Sequence, residues 1–186
     1  LVRPSDEKEP EKIAWLQCVG SRDTNRCNNG YCSSVCCMYA IKDAMIAKEH
    51  SEHELDCAIF NMDIRTFGKD YEKYYLRGRD EAGIRFVRSR IHSVDEVRET
   101  GNLILTWADE EGSLQQEEFD MVVLSVGLEP AEDAKKLAQI VGFDLDHYGF
   151  GASQTFAPVS SSVDGVYLTG AFEAPMAIPR SVTQAS

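Results

Sequence analysis

Five of the six cysteines in this chain fall within one short segment, at Cys18, Cys27, Cys32, Cys36 and Cys37, and only Cys57 stands apart. Thiols crowded into one stretch must be oxidised, ligated or buried, and each fate has its own spacing. Structural disulfides belong to small secreted domains whose cysteines staple distant loops, and no signal segment opens this chain. The adjacent Cys36 and Cys37 cannot easily bond to each other without distorting the peptide between them. A structural zinc site shows two Cys-x2-4-Cys knuckles with a spacer, whereas one dense knuckle is present here. Buried thiols that only fill a core occur singly rather than five together.

Residues 12–18 read as a buried strand with Cys18 at its carboxyl end, and residues 33–49 read as a helix with Val35, Met38, Ile41 and Met45 on one stripe. On that reading Cys32 and Cys36 share one helix face and Cys37 points about a quarter-turn away. A helix N-terminus favours thiolates, and a strand end beside a helix start is the usual ligand edge of an open α/β sheet. The spacing favours four thiolates on an iron–sulfur cluster. Two alternatives stay open. One is a zinc-stapled interaction module. The other is a redox disulfide between Cys27 and Cys32, a Cys-x4-Cys pair without the glycine-rich FAD loop that precedes such pairs in the glutathione-reductase group of flavoproteins.

Composition narrows the classes. Of 186 residues 43% are hydrophobic and 27% charged, which excludes wholesale disorder. The net charge of −12 argues against a nucleic-acid surface, which needs excess Lys and Arg. No apolar run is long enough for a membrane span, so no direct membrane insertion is expected and a cytoplasmic location is. The chain opens on Leu1 and stops at Ser186 in what reads as the start of a helix, as a piece of a longer protein would.

The segments Gln17-Cys18-Val19-Gly20-Ser21-Arg22-Asp23 and Tyr31-Cys32-Ser33-Ser34-Val35-Cys36-Cys37-Met38-Tyr39-Ala40-Ile41-Lys42 closely resemble the heterodisulfide reductase A-subunit family. That family includes the A subunit of the quinone-interacting membrane-bound oxidoreductase. Gly165–Pro175 with Ile178–Ser186 behind it, and Asp120–Pro130, match in the same order. The resemblance implies an iron–sulfur flavoprotein on a thioredoxin-reductase-like core, an oxidoreductase of anaerobic metabolism. Its partners would be other redox subunits of a heterodisulfide-reductase-like complex. It implies that Cys18, Cys32, Cys36 and Cys37 bind a [4Fe-4S] cluster, that Cys27 is a spare loop thiol, and that FAD belongs to the full-length protein. The residues carried over for FAD are Gly127, Gly170, Ala171, Phe172, Ile178, Pro179 and Ser181. Where related reductases have an Asp after the second of these glycines, this chain has Ala171-Phe172.

The expected fold is α/β: a nicotinamide-domain-like sheet with helices and an antiparallel meander, then the carboxyl-terminal part of an FAD-binding domain. Residues 1–11 read as a linker, 12–130 as a modified nicotinamide-type domain carrying the cysteines, and 131–186 as the return to an incomplete FAD domain. No Gly-x-Gly-x-x-Gly follows a strand. The turn that would cradle a pyrophosphate holds Cys18-Val-Gly-Ser-Arg-Asp instead, so nicotinamide binding here is not expected. Cys57 opens a strand and reads as core. His50 and His53, among acidic neighbours, read as a solvated helix end, and Tyr71, Tyr74, Tyr75 and Leu76 as the packed face of a helix over 69–82. Arg85, Arg88 and Arg90 read as the outward face of strands, 102–120 as a hairpin, 131–140 as an amphipathic helix and Val166–Gly170 as a short buried strand. No catalytic acid, base or nucleophile is expected, because electron transfer requires placement and tuned potentials. The isolated piece is not expected to be active by itself.

Overall fold

The structure is a computed structural model and describes residues 1–186. Strand β1 (Lys12–Val19) is buried along both faces, which explains its unbroken apolar run. It pairs in parallel with β2 (Asp56–Asn61) on one side and β7 (Met121–Val126) on the other, and β3 (Arg85–Arg88) extends the sheet beyond β2. The order is β3-β2-β1-β7. Helix α1 (Cys36–His50) crosses from β1 to β2, and α2 (Tyr71–Asp80) lies between β2 and β3. Strands β4 (Ser93–Val97), β5 (Asn102–Ala108) and β6 (Leu114–Phe119) form a separate antiparallel meander.

Period-two alternation distributes the core over both faces of the parallel sheet. Ile13, Trp15, Cys57 and Ile59 pack with Ala40, Ile41, Ala44 and Met45 of α1. Their neighbours Ala14, Leu16, Ala58 and Phe60 pack instead with Leu105, Trp107 and Phe119 of the meander. Phe60 meets Trp107 and Phe119 edge-to-face at 4.9 and 5.9 Å. Helix, sheet and meander therefore make three layers of one compact unit, residues 1–19 with 36–126. Within it, residues 1–11 are held by Arg3, which is buried and donates to Asp6, Asn102, the Thr100 carbonyl and the Asp120 carbonyl.

Residues 20–35 and 127–186 form a second unit. It contains α3 (Ala134–Val141), closed by Gly142 in a left-handed conformation, and α4 (Ile178–Ala185), with Pro179 in its first turn. A single 3-10 turn over Gly170–Phe172 precedes α4. Its small core is Ala138, Phe143 and Leu168.

The mixed α/β class and the antiparallel meander agree with the sequence reading, and the differences have local causes. The first helix begins at Cys36, not at residue 33, because Ser34 sits at φ 63°, incompatible with a helical turn. Of the expected stripe, Ile41 and Met45 are buried while Met38 is not. Val166–Gly170 is not a strand. Its pairing is limited to the Ser160–Tyr167 bridge, because the opposing chain turns at Val159 (φ 67°), and Tyr167 is exposed. Arg85 is partly exposed, as an outward residue would be, but it also carries ion pairs. It joins the two sheets through Asp56 (2.9 Å) and Glu117 (2.8 Å).

Cys57 is fully buried in the core, and burial pushes its thiol up to about 12 from an ordinary 9.0, with Lys48 pulling weakly the other way. A folded-state value above the unfolded one gives stability that is complete below about pH 9 and lost as pH rises toward about 12. The stability gap between wild type and Cys57→Ala should therefore shrink by on the order of 1.4 kcal/mol per pH unit above pH 9, measured by urea unfolding at stepped pH.

Candidate metal centre

Three of the cysteines lie where β-strand ends and a helix start meet in the first unit. Cys18 is the penultimate residue of β1, and it is buried. The register with β7 slips between Leu16 and Val19, so three steps on β1 oppose two on β7. Cys18 itself adopts φ 61° within this bulge. For a residue with a Cβ this conformation is strained, and it lifts the side chain out of the alternation that would have aimed it with Ala14 and Leu16. Four of the seven non-glycine residues at positive φ, Cys18, Arg22, Asn28 and Ser34, fall between the first and last cysteines of the cluster. Such clustering is typical of functional segments, where packing holds conformations the residues do not favour on their own.

Cys36 and Cys37 are the first two residues of α1 and both are buried. No acidic residue occupies that first turn, so the positive end of the helix is left to the thiols. Cys36 Sγ lies 3.7 Å from the Val126 carbonyl at the end of β7, and Cys37 Sγ lies 4.0 Å from the Asp63 carbonyl just beyond β2. The hydroxyl of Tyr39 donates to the same Val126 carbonyl at 2.8 Å. Burial first, and then the charge of and hydrogen bond to Cys36, hold the Tyr39 phenol above its ordinary range.

The other two thiols belong to the second unit. Cys32 is half-buried and its sulfur accepts from the Ser34 N–H at 3.4 Å. It precedes the helix and is not on the same helical face as Cys36, which corrects the sequence reading; the cause is the Ser34 conformation described above. Cys27 donates to the Asp23 carbonyl at 3.2 Å inside a turn held by the Asp23 carboxylate. No disulfide joins any of the six cysteines. No group of three or more His, Cys, Asp or Glu side chains is arranged to hold a metal ion. His53 instead contacts the Pro10 carbonyl and Glu9.

Gly127 and Ser33 fix the base of this loop. The Ser33 hydroxyl is buried and accepts from the Leu128 N–H at 3.0 Å, and a Cβ on Gly127 would stand 2.5 Å from it. The role of Gly127 here is close approach to Ser33, a signal no motif in the sequence announces. Gly170 (φ 66°) packs against Ser181, 3.3 Å from where its Cβ would be, and its N–H donates to Gln184. Ala171, Ile178 and Pro179 are exposed, whereas the Phe172 ring turns inward onto Phe143 at 5.8 Å. Ser181 bonds back to the Ala177 carbonyl. Thus Gly170 and Ser181 are brought together, Ile178 and Pro179 start the same helix, and Phe172 faces the core of this unit. Beside them an apolar cleft of about 310 Å³ is lined by Leu137, Val141, Phe143, Tyr167, Leu168 and Phe172.

Two kinds of likeness bear on these features. No protein-family model matches the chain. It is 45% identical over its whole length to the second iron-sulfur A subunit of CoB–CoM heterodisulfide reductase from Methanopyrus kandleri. It is 40% identical, also over its whole length, to the A subunit of the H(2):CoB-CoM heterodisulfide,ferredoxin reductase of Methanothermobacter thermautotrophicus. It spans 28% of the length of each. Among solved structures, the thioredoxin reductases of Lactococcus lactis and T. acidophilum superpose with TM-scores of 0.60 and 0.58 at 14% and 15% identity. The fits cover 95% and 94% of this chain and 50% and 49% of theirs. These establish the fold alone. No helix of the chain is long and apolar enough to cross a membrane.

Proposed function

Because this chain belongs to the heterodisulfide reductase A-subunit family, we propose that it is the electron-transfer segment of an oxidoreductase subunit, with Cys18, Cys32, Cys36 and Cys37 as ligands of a [4Fe-4S] cluster. The observation that carries the reading is the burial of Cys18, Cys36 and Cys37 at one strand-end and helix-start edge, with Cys18 held there in a strained bulge. The donor chemistry fits: soft thiolates beside the positive end of a helix suit an anionic iron–sulfur centre. The name of the Methanopyrus relative, which calls it an iron-sulfur subunit, supports the same assignment.

When bound, an iron–sulfur cluster supplies one-electron exchange. The chain's own contribution is placement and tuning. Cys18, Cys36 and Cys37 exclude water by their burial, and the α1 N-terminus stabilises negative charge on their sulfurs. The peptide N–H of Ser34 already points at the Cys32 sulfur. Cys27, bonded to its own turn, is left out of the ligand set.

Residues 131–186 are proposed to be the closing part of an FAD-binding domain, with Gly127, Gly170, Ala171, Phe172, Ile178, Pro179 and Ser181 nearest the flavin. The exposed apolar side chains of Ile140, Ile178 and Val182 suit a surface that the rest of that domain covers. Electrons would pass between flavin and cluster, and onward to other redox subunits, consistent with the names of the relatives.

Elemental analysis and visible spectroscopy of the full-length protein, purified without oxygen, test the reading. Iron with broad absorption near roughly 400 nm is expected. Zinc in place of iron would make the segment a zinc-stapled module. Thiol-disulfide turnover that depends on Cys27 and Cys32, without iron, would make it a disulfide reductase.

A further inference from the structure

Helix α4 is not held in place by a buried apolar face. It is eight residues long, none of its residues is buried, and no side chain caps its N-terminus. A helix that short is marginal without tertiary support. Its support is polar. The Gly170 N–H donates to Gln184 Oε1 at 3.0 Å, and Gln184 Nε2 donates to Glu173 Oε2 at 2.6 Å. The other carboxylate oxygen of Glu173 accepts from the Ser153 hydroxyl at 2.5 Å. Ser153, Glu173 and Gln184 are all half-buried, which shields these bonds from water.

The direction of each bond follows from the groups involved. A carboxylate only accepts, so Glu173 can meet only the NH2 end of the Gln184 amide. The carbonyl end is thereby turned toward the Gly170 N–H. Bonds to an ionised acceptor are about twice as strong as neutral ones, so the carboxylate governs the array. Glu173 also closes the Gly170–Phe172 turn, its own N–H donating to the Gly170 carbonyl at 3.0 Å. A single 3-10 turn has poor hydrogen-bond geometry of its own, and Gly170, at φ 66°, adds no rigidity. One side chain therefore ties the turn and the helix together.

We propose that Glu173 is a positioning residue for the flavin: through Gln184 it sets α4 against the Gly170 turn. It thereby fixes the surface formed by Gly170, Ala171, Phe172, Ile178, Pro179 and Ser181. The inference rests on the flavin reading above and adds to it a residue that the family likeness does not carry over.

The test is an FAD titration of the full-length protein stripped of flavin, followed by the change in flavin fluorescence. Gln184→Glu puts two carboxylates face to face. Its dissociation constant for FAD is expected to rise on the order of tenfold, equivalent to losing one charge-assisted hydrogen bond. Combining Glu173→Gln with Gln184→Glu exchanges the two groups and restores every bond. The carboxylate at position 184 then accepts from the Gly170 N–H and from the amide at position 173, whose carbonyl accepts from Ser153. Weakening in the single variant with recovery in the exchanged pair would support the inference, because mere damage to the helix would not be repaired by a second change. Unchanged affinity in Gln184→Glu would overturn it, as would weakening without recovery, and either leaves the flavin reading standing. If the wild-type protein binds no FAD, the flavin reading fails and the inference with it. Should Gln184→Glu not fold, Glu173→Ala against Glu173→Gln decides, since only the amide can still accept from Gln184. Weaker FAD binding in the alanine variant alone supports the proposal, and equal affinity in the two overturns it.

Discussion

Serine at Cys18, Cys32, Cys36 or Cys37, introduced singly, is expected to cut the iron retained at this centre by more than about tenfold, since loss of mere outer-shell partners already costs roughly 10–100-fold. Cys27→Ser and Cys57→Ser are expected to leave it unchanged. Cys27 is committed to the Asp23 turn, and Cys57 is a core thiol kept protonated by burial. Iron analysis after anaerobic gel filtration reads the effect. The contrast matters more than any single loss, because a nonspecific folding defect would lower iron in the Cys57 variant too. Retention of iron in Cys18→Ser would be the most damaging result, because the strained bulge would then lack its functional reason.

Phe60→Ala is expected to destabilise the first unit by about 3–5 kcal/mol, the usual range for deleting a buried aromatic ring. Phe60 lies on the face of β2 turned toward the meander, and its contacts with Trp107 and Phe119 hold the two sheets together. Its neighbour Ile59 faces α1 instead, so Ile59→Val should cost only about 0.5–1.5 kcal/mol. Urea unfolding followed by tryptophan fluorescence distinguishes them. Equal small effects would mean that the meander is not packed on the sheet as described.

The sequence exposed some of this and hid the rest for physical reasons. The all-buried run of β1 and the alternation of the meander were legible because burial on both faces, or on one, leaves a direct pattern of residue types. Cys36 and Cys37 at a helix start were legible from spacing. The left-handed Ser34 was not, because its conformation depends on how its neighbours pack, including Ser33 bound to Leu128, a residue almost a hundred positions away. The bulge at Cys18 was equally hidden, since it arises from the pairing register with β7 and leaves no residue-type signature. Gly127 is marked in the sequence only by the family likeness, because its packing against the Ser33 hydroxyl is a tertiary contact with no sequence pattern. The Gln17–Ser125 hydrogen bond has no sequence signature, because its members are far apart in the chain and belong to no motif.

The most direct test of the ligand assignment compares wild type with the variant carrying serine at all four positions, counting iron and acid-labile sulfide per chain in the full-length protein. A difference of about four irons and four sulfides is the predicted result. Identical counts in the two proteins would contradict it.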